Sequence, residues 1–287
     1  MRIVSRSAAM RELSRRARRS GESIGFVPTM GALHAGHLSL MRRARRENRR
    51  LAVSVFVNPL QFGPREDFAR YPRNDLRDAT LSRWEGCDWL FMPTGRGVYP
   101  PGFATRIVPG PIGDEWEGAA RPGHFTGVLT VVLKLLEIVE PDTIYLGQKD
   151  AQQAALVSQM VRDLDLPVRV VVCPTVRERD GLALSSRNVF LSPSERERAR
   201  GIVRALRAGK EAARAGRREA ASIVAAARRT LVREASPDRI DYIGLVDPRT
   251  FEPLPRLTSR ALLIAAVRIG RTRLIDNMPI AAVREGR

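Results

Sequence analysis

Apolar residues in the first part of the chain form short continuous runs, separated by longer segments in which they recur every three or four positions. Short runs rich in β-branched residues are typical of buried strands, and the longer periodic segments are typical of helices with one buried face. Strands that alternate with helices predict a parallel sheet with right-handed crossovers. The predicted strands are 24–27, 51–57, 88–92, 143–146 and 168–172, and the predicted helices are 8–19, one beginning near 36, 75–85, 126–140 and 150–164.

The pattern changes near Arg177, where the regular alternation of strands and helices ends. Ser192 and Glu195 form a capping box with Pro193 at the first helical position, which predicts the start of a basic, alanine-rich helix. We therefore expect an α/β protein with two domains, residues 1–177 and a smaller α+β domain of residues 178–287. The other elements predicted in the second domain are a helix over 217–234 and antiparallel strands over 240–246, 261–269 and 272–276.

Composition limits the class of protein. With 44% hydrophobic and 28% charged residues, the 287-residue chain has the composition of a soluble globular protein with an ample core. No apolar run reaches the length of a membrane span, and residues 1–6 lack the apolar core of a signal peptide. Cys87 and Cys173 alone do not make a disulfide framework, so we expect a cytoplasmic protein in a reducing compartment.

The net charge of +18 raises the question of a nucleic-acid partner. The chain has only three lysines, so nearly all its basic residues are arginines, which are spread among acids over many predicted helix faces. No aromatic platform or nucleic-acid-binding motif accompanies them, and we expect no specific nucleic-acid partner. The same arginine bias makes Lys149 noticeable, because most solvated positions here carry arginine.

The stretch from Ile24 to His37 runs from a predicted strand, which we expect Pro28 to end, through a loop of small residues into a predicted helix. The free backbone N–H groups and the positive dipole end of a helix start bind anions, and small residues let a polyanion approach the backbone. His34 and His37 share one helix face, from which both imidazoles can donate to phosphate oxygens. The stretch therefore predicts a phosphate site.

The histidine pair has two other interpretations. One imidazole can cap the helix while the other lies on its surface, or the two can form half of a metal site. A zinc site needs three or four ligands, and His124 is the only other histidine, while both cysteines lie in apolar runs. We therefore favour phosphate over a metal.

Two polar clusters follow in the second half of the chain. In the first, a predicted strand ends, Gly147 turns the chain, and Lys149 and Asp150 begin a helix. Lys149 can neutralise phosphate charge and Asp150 can orient it or bind a ribose hydroxyl; a capped helix with a surface ion pair is the alternative. In the second, the hydroxyls and guanidinium of residues 184–187 suit a phosphate clamp, and the alternative is a turn between domains.

Asn58 and Gln61 lie in a polar loop directly after the strand predicted at 51–57. Open α/β sheets place ligands at the carboxyl ends of their strands. Carboxamides can bind the hydroxyl and carboxylate of a substrate without adding charge. The alternative is structural, because Asn-Pro is a common turn former.

In their order along the chain, these motifs resemble those of one family. Ala-Leu-His-Ala-Gly-His resembles the His-x-Gly-His signature of the nucleotidyltransferase and class I synthetase superfamily, which uses it on the phosphates of ATP. From end to end, the chain resembles the pantothenate synthetase (pantoate–β-alanine ligase) family. The resemblance rests on residues 28–37, 57–62, 71–73, 124–128, 147–150, 180–188 and 273–277.

The resemblance implies a Rossmann-like ATP- and pantoate-binding domain over residues 1–177, a smaller domain over 178–287 that closes over the active site, and a homodimer. It implies a ligase that uses ATP and Mg²⁺ to join (R)-pantoate to β-alanine through a pantoyl adenylate, releasing AMP and pyrophosphate. One alternative is a small-molecule nucleotidyltransferase of the same superfamily, which predicts basic residues around the second substrate. Another is a non-enzymatic basic protein, which predicts salt-sensitive nucleic-acid binding and no ATP turnover.

The resemblance also assigns residues by position. His37 would be the catalytic histidine, with His34 and Lys149 also acting on the phosphates. Gln61 and Gln153 would hold pantoate, Gln61 would also meet β-alanine, and Asn58 is a further substrate-binding candidate. The implied ATP-binding residues are Met30, Gly31, Ala32, Leu33, His34, Ala35, Gly36, His37, Gly147, Gln148, Lys149, Asp150, Val176, Leu184, Ser185, Ser186 and Arg187.

The protein ligands of Mg²⁺ stay open. Asp78 is the nearest positional match to an acidic ligand, and Asp75 is also available. Phosphate oxygens and water can supply most of the coordination of this ion, so the sequence also allows that neither residue binds it.

Overall fold

The structure, a computed structural model, describes residues 1–64, 66 and 68–281. Its strands are β1 (Arg2–Val4), β2 (Ile24–Thr29), β3 (Arg50–Val55), β4 (Trp89–Phe91), β5 (Thr143–Gly147), β6 (Arg169–Cys173), β7 (Arg239–Val246), β8 (Ala261–Ile269) and β9 (Thr272–Ile280). Its helices are α1 (Ser7–Arg19), α2 (Ala35–Glu47), α3 (Asp75–Trp84), α4 (Gly95–Val98), α5 (Glu117–Ala120), α6 (His124–Val139), α7 (Ala151–Asp163), α8 (Pro193–Arg214) and α9 (Ala220–Ala235). None of these helices combines the length and apolar character needed to cross a membrane.

The chain divides into two compact units. The first comprises Met1–Asp114, Arg121–Gly147 and Leu156–Pro174, and the second comprises Glu115–Ala120, Gln148–Ala155 and Thr175–Arg287. The last residues of the predicted second domain, 282–287, lie outside the described residues.

A parallel sheet of six strands forms the centre of the first unit. Its order is β1–β4–β3–β2–β5–β6, and all five neighbouring pairs are parallel. The strands are continuous apolar runs because both faces of a parallel sheet are normally covered by helices. Val27, Leu51, Leu90 and Tyr145 are among the side chains that this core buries completely. The sheet confirms the predicted α/β fold.

β2 lies between β3 and β5, and the chain order runs outward from it through β3 and β4 on one side and through β5 and β6 on the other, with β1 at the edge beyond β4. The carboxyl ends of β2 and β5 therefore flank a topological switch point, where open parallel sheets bind their ligands. The loop after β2 carries Met30 to His34, and β5 ends at Gly147. The topology thus brings the predicted phosphate loop and Gly147 to the same edge of one sheet.

The prediction that Pro28 ends its strand was wrong, because β2 continues to Thr29. The Thr29 carbonyl accepts a hydrogen bond from the N–H of Phe56, directly after β3. Because backbone groups of successive strand residues point to opposite sides, the nitrogen of Pro28 points toward β5. The pairing of β2 with β5 stops at Phe26. A proline at such a position removes no ladder hydrogen bond.

Two other strands differ from the prediction. β9 continues beyond residue 276 to Ile280, although it contains two consecutive polar residues and Pro279. It is an edge strand, and edge strands tolerate proline. β1 was not predicted because it has three residues, of which only Val4 is buried.

An antiparallel sheet of three strands, ordered β7–β8–β9, forms the centre of the second unit. Every second residue of β8, from Ala261 to Ile269, joins one core cluster with apolar side chains of α8 and α9, among them Leu206 and Leu231. That spacing is expected for one face of a strand. The arrangement confirms the predicted small antiparallel sheet with helices.

Buried charges fix α5 within the second unit. Arg273 on β9 donates to Glu117 and to Asp241, each at 2.6 Å, and the Tyr242 hydroxyl donates to Glu117 at 3.1 Å. The side chains of Glu117 and Asp241 are only 8% and 4% exposed. Burial raises the pKa of Tyr242 far above its usual value, so this hydroxyl remains a donor. The network ties α5 to the three-stranded sheet.

Replacing Arg273 tests how much this buried network contributes to stability. Arg273→Met leaves Glu117 and Asp241 buried without their shared cation, so the free energy of unfolding should fall by about 3–5 kcal/mol. The control is Arg239→Ala, because Arg239 pairs with the same Asp241 through a side chain that is 67% exposed. That variant should lose less than about 1 kcal/mol. Urea unfolding measures both, and equal losses would contradict the assignment of stability to the buried pairs.

Candidate active site

The loop between β2 and α2 is held by hydrogen bonds to Asp78 on α3. The Asp78 carboxylate accepts from the N–H of Ala32 at 2.9 Å and of Leu33 at 2.8 Å. Gly31 and Ala32 have φ values of 81° and 50°, and a Cβ on Gly31 would lie 2.8 Å from Asp78 Oδ2. Residue 31 therefore has to be glycine, for both its conformation and its space. Burial raises the pKa of Asp78, although the two N–H donors oppose this effect.

The same hydrogen bonds use the backbone donors that were expected to bind an anion. The N–H of Gly31 donates to Thr29 Oγ1 at 3.1 Å, and the next two N–H groups donate to Asp78. The N–H groups of His34 and Gly36 donate to imidazole nitrogens. The prediction of free N–H groups was therefore wrong at these five residues, because Thr29, Asp78 and the two imidazoles accept their hydrogen bonds. At these five residues the backbone is already used, so donors to a phosphate there would be side chains.

His34 and His37 cap the start of α2 with their imidazoles. His34 Nδ1 accepts from the N–H of Gly36 at 3.2 Å, and His37 Nδ1 accepts from the N–H of His34 at 3.4 Å. The two ring centroids are 4.1 Å apart. A ring nitrogen that accepts an N–H carries no proton, so each neutral imidazole carries its proton on Nε2. One nitrogen of each ring therefore caps the helix, and the other is a hydrogen-bond donor.

The third histidine has a different role. His124 Nδ1 donates to the carbonyl oxygen of Gln61 at 2.8 Å, and Arg121 Nη1 donates to His124 Nε2 at 3.0 Å. The described residues contain no group of three or more His, Cys, Asp or Glu side chains that could hold a metal ion.

The turn after β3 carries Asn58 and Gln61, both buried. Asn58 Nδ2 donates to Gln61 Oε1 and to the Gly127 carbonyl, each at 3.0 Å. Asn58 Oδ1 accepts from the Tyr99 hydroxyl at 2.8 Å and from a backbone N–H of the turn at 3.2 Å. These bonds use the full capacity of one amide, so Asn58 fixes Gln61. Gln61 Nε2 in turn lies 3.3 Å from Met30 Sδ, which joins this turn to the phosphate loop.

The start of α6 and the segment before it support the same turn. Arg121, which precedes α6, donates to the Gln61 carbonyl at 3.3 Å, and its guanidinium pairs with Glu66. A Cβ on Gly127 would lie 2.1 Å from the carbonyl oxygen just before Gln61, so the close contact needs glycine. Sequence reasoning gave none of these supporting residues a role. The His-Phe-Thr-Gly motif at 124–127 was their signal.

In the second unit, Gln148–Asp150 form a 3-10 turn directly before α7. Lys149 Nζ donates to Asp150 Oδ1 at 3.3 Å, so the ion pair considered as the alternative is present. Asn277 on β9, which sequence reasoning missed, donates through Nδ2 to the carbonyls of Gln148 at 2.8 Å and Lys149 at 3.0 Å. Gln153 lies half-buried on the first turn of α7.

Residues 176–188 fold back on themselves. The N–H of Leu184 donates to the Val176 carbonyl at 3.0 Å, which brings these two predicted ATP-binding residues together. Ser185 Oγ accepts from the N–H of Arg187 at 3.2 Å and caps a 3-10 turn over Ser186–Phe190. The serine turn considered as the alternative is therefore present, and it contains Arg187.

The predicted site residues thus form two groups. Those of the first unit are Met30 to His37, Asn58, Gln61 and Gly147, and those of the second are Gln148 to Asp150, Gln153, Val176 and Leu184 to Arg187. The hydrogen bonds described above join residues of the same unit.

Known proteins match this sequence over nearly its whole length. The sequence model of the Pantoate-beta-alanine ligase family matches residues 2–279. The pantothenate synthetase of Caldicellulosiruptor bescii is 47% identical over 280 residues, which cover 98% of this chain and 99% of the relative.

Solved structures give the same result. The crystal structure of pantothenate synthetase from Thermus thermophilus has a TM-score of 0.92 and 51% identity, covering 97% of this chain and 99% of that chain. The pantoate-β-alanine ligase of Francisella tularensis, complexed with beta-gamma ATP and β-alanine, has a TM-score of 0.79 and 37% identity, covering 97% of both chains. The family match spans nearly every residue of both units, and the chain belongs to the pantoate–β-alanine ligase family.

Proposed function

We propose that the protein is a pantothenate synthetase, which condenses (R)-pantoate with β-alanine through a pantoyl adenylate and converts ATP to AMP and pyrophosphate. The observation that carries the proposal is the contact between Gln61 and Met30. It joins a neutral carboxamide turn to a loop whose donors are the imidazoles of His34 and His37. The Francisella structure is a complex with beta-gamma ATP and β-alanine, and we propose that this chain also binds ATP and β-alanine.

The chemistry needs an activated carboxylate, because a free carboxylate is a poor acylating agent. In the first step the pantoate carboxylate attacks the α-phosphorus of ATP, its oxygen bonds to phosphorus, and pyrophosphate leaves. In the second step the amine of β-alanine attacks the acyl carbon and AMP leaves. Charge grows on the departing pyrophosphate, and each well-placed donor there is typically worth about 3–4 kcal/mol.

We assign that stabilisation to His37, His34 and Lys149, with His37 as the catalytic histidine. The two imidazoles donate through Nε2 without a fixed charge, because their Nδ1 atoms are used by the helix cap. Lys149 supplies the fixed positive charge, and Arg187 can add a second. The remaining residues of the proposed ATP site are Met30 to Leu33, Ala35, Gly36, Gly147, Gln148, Asp150, Val176 and Leu184 to Ser186.

Gln61 and Gln153 are proposed to hold pantoate, and Gln61 also to meet β-alanine. A carboxamide binds hydroxyl and carboxylate groups without a cation that would weaken the carboxylate as a nucleophile. Asn58 contributes to substrate binding by fixing Gln61, because the hydrogen-bonding capacity of its own amide is already taken up within the protein. A nucleotidyltransferase would need basic groups here, whereas Arg121, which touches the Gln61 backbone, is paired with Glu66.

Mg²⁺ enters the proposal as part of the substrate, MgATP. Both oxygens of Asp78 accept N–H groups of the phosphate loop, and the described residues form no three-membered metal-ligand group. We therefore assign Asp78 to the loop rather than to the metal. Phosphate oxygens and water supply the coordination.

Three further predictions stay open within this proposal. They are a homodimer, a cytoplasmic location, and a functional division into residues 1–177 and 178–287. Size-exclusion chromatography with light scattering measures the first.

Oxygen labelling tests the proposed reaction. With both carboxylate oxygens of pantoate replaced by heavy oxygen, one label should appear in AMP and one in the product amide, because the attacking oxygen stays on the α-phosphorus. Mass spectrometry of the products measures this. Unlabelled AMP, or ADP with labelled inorganic phosphate, would refute the adenylate route. AMP formation without pantoate would refute the ligase.

Removing the charge of Lys149 tests its proposed role. Lys149→Ala should slow pyrophosphate release by about 100-fold or more, because a preorganised group aimed at developing charge typically contributes that much. The unfolding midpoint should change little, since the ion pair of Lys149 with Asp150 spans 3.3 Å and the Asp150 side chain is half exposed. Normal pyrophosphate release by the variant would remove Lys149 from the mechanism.

Substituting the two acids of α3 separates loop anchoring from metal binding. Asp78→Asn leaves one loop N–H facing an NH₂ donor, and an unsatisfied buried group costs about 1–3 kcal/mol. The rate should fall by about 5- to 150-fold at every Mg²⁺ concentration, if that cost misplaces the loop in the transition state. Asp75→Asn is the matched control, because Asp75 is exposed on the same helix.

The readout is the Mg²⁺ concentration that gives half the maximal rate. It should be the same in the original protein and in both variants. An increase with Asp78→Asn, or rescue of its rate by excess Mg²⁺, would show that Asp78 is a metal ligand.

A further inference from the structure

Two consecutive polar residues of β9, Asp276 and Asn277, are almost completely buried, with 5% and 3% of their surfaces exposed. Neighbouring residues of a strand point to opposite faces of the sheet, so each of the two needs partners of its own. Buried polar groups without hydrogen bonds are costly. The function proposed above uses neither residue.

Asn277 binds the backbone of the turn that carries Lys149. Its Nδ2 donates to the carbonyls of Gln148 at 2.8 Å and Lys149 at 3.0 Å, and its Oδ1 accepts from Gln148 Nε2 at 3.4 Å. The turn is a single 3-10 turn of three residues, and such turns have poor internal hydrogen-bond geometry. A side chain 128 residues away in sequence therefore fixes the backbone of Lys149.

A buried ion pair holds Asn277 in turn. The Asp276 carboxylate accepts from Arg177 at 2.6 Å and 2.9 Å, and its Oδ1 also accepts the N–H of Asn277 at 2.7 Å. Arg177 donates as well to the Asn277 carbonyl at 3.2 Å. A bidentate pair of this kind fixes orientation as well as distance. The backbone of Asn277 is thus held on both sides of its Cα.

We propose that Asn277 is a positioning residue for Lys149, which fixes the point from which the lysine ammonium reaches the phosphates of ATP. This inference rests on the proposed function, since it takes Lys149 to stabilise the leaving pyrophosphate. The lysine stem is long and flexible, so the anchor at its backbone decides where the charge can be held. A misplacement of about 1 Å can cost about 100-fold in rate.

The test is a double-mutant cycle on pyrophosphate release. Asn277→Ala should lower kcat by about 10- to 100-fold, with the KM values for pantoate and β-alanine changed by less than about threefold. In the Lys149→Ala background the same substitution should have little further effect, because the group that it positions is absent.

The matched control is Leu274→Ala on the same strand. Leu274 is buried in the core of the second unit, so this variant should lose stability but keep kcat at temperatures below its unfolding transition. Asn277→Asp has the same shape but turns acceptors toward the two carbonyls, and it should be as slow as Asn277→Ala. Asn277→Ser, which keeps one donor, should lie between. If none of the three variants at residue 277 folds, Asn277 is a stability residue and the proposal is wrong.

Failure of this inference is distinguishable from failure of the proposed function. Normal pyrophosphate release by Lys149→Ala would overturn the role of Lys149 itself. A slow Lys149→Ala together with a normal Asn277→Ala, or losses that multiply in the double variant, would leave the function standing and overturn the positioning role.

Discussion

The paired hydrogen bonds of Asp78 are the constraint on which the phosphate loop depends. One carboxylate that accepts two consecutive N–H groups holds the chain in a left-handed turn at Gly31 and Ala32. The turn delivers His34 to the first turn of α2, where the two imidazoles complete a capping box. The cap uses Nδ1 of each ring and so determines which nitrogen carries the proton. A buried acid that need not touch the substrate thereby determines the donor atoms of the site.

This arrangement has an electrostatic consequence. Five N–H groups of the loop are used within the protein, and the fixed positive charge proposed for the phosphates comes from side chains, chiefly Lys149. Lysine is rare in this chain, whereas many of its arginines are paired with acids, as Arg42 is with Glu85 and Arg50 with Glu22. Ion pairs of that kind at the surface contribute little and are screened by salt. Such pairs add nothing to the net charge, which comes from the excess of basic over acidic residues.

Periodicity predicted most of the fold because each strand and helix has a local apolar pattern that its burial requires. It failed where the end of a strand depends on its neighbour, as at Pro28. The missing N–H of this proline removes no hydrogen bond, because β2 no longer pairs with β5 at that point. In the candidate site, sequence reasoning proposed His34, His37, Lys149 and Gln61, whose chemical types are unusual locally. It did not find the loop anchor role of Asp78 or the contacts of Asn277, because those bonds join residues 46 and 128 positions apart. Such partners leave no periodic signal in the chain.

The bonds that orient the proposed catalytic groups close within each unit. His34 and His37 are set by α2 and Asp78, and Gln61 by Asn58 and α6, all in the first unit, while Lys149 is set by Asn277 in the second. Folding of each unit therefore orders its own proposed site residues before any substrate binds, and the entropy lost in that ordering is part of the cost of folding. Groups ordered in advance lose less on binding and need less reorganisation as charge develops in the transition state. Buried polar residues such as Asn58, Asp78 and Asn277 each make enough hydrogen bonds to offset the free-energy cost of removing them from water. Each of them orients a neighbouring group, and we propose that this neighbour, rather than the buried residue, contacts the substrate.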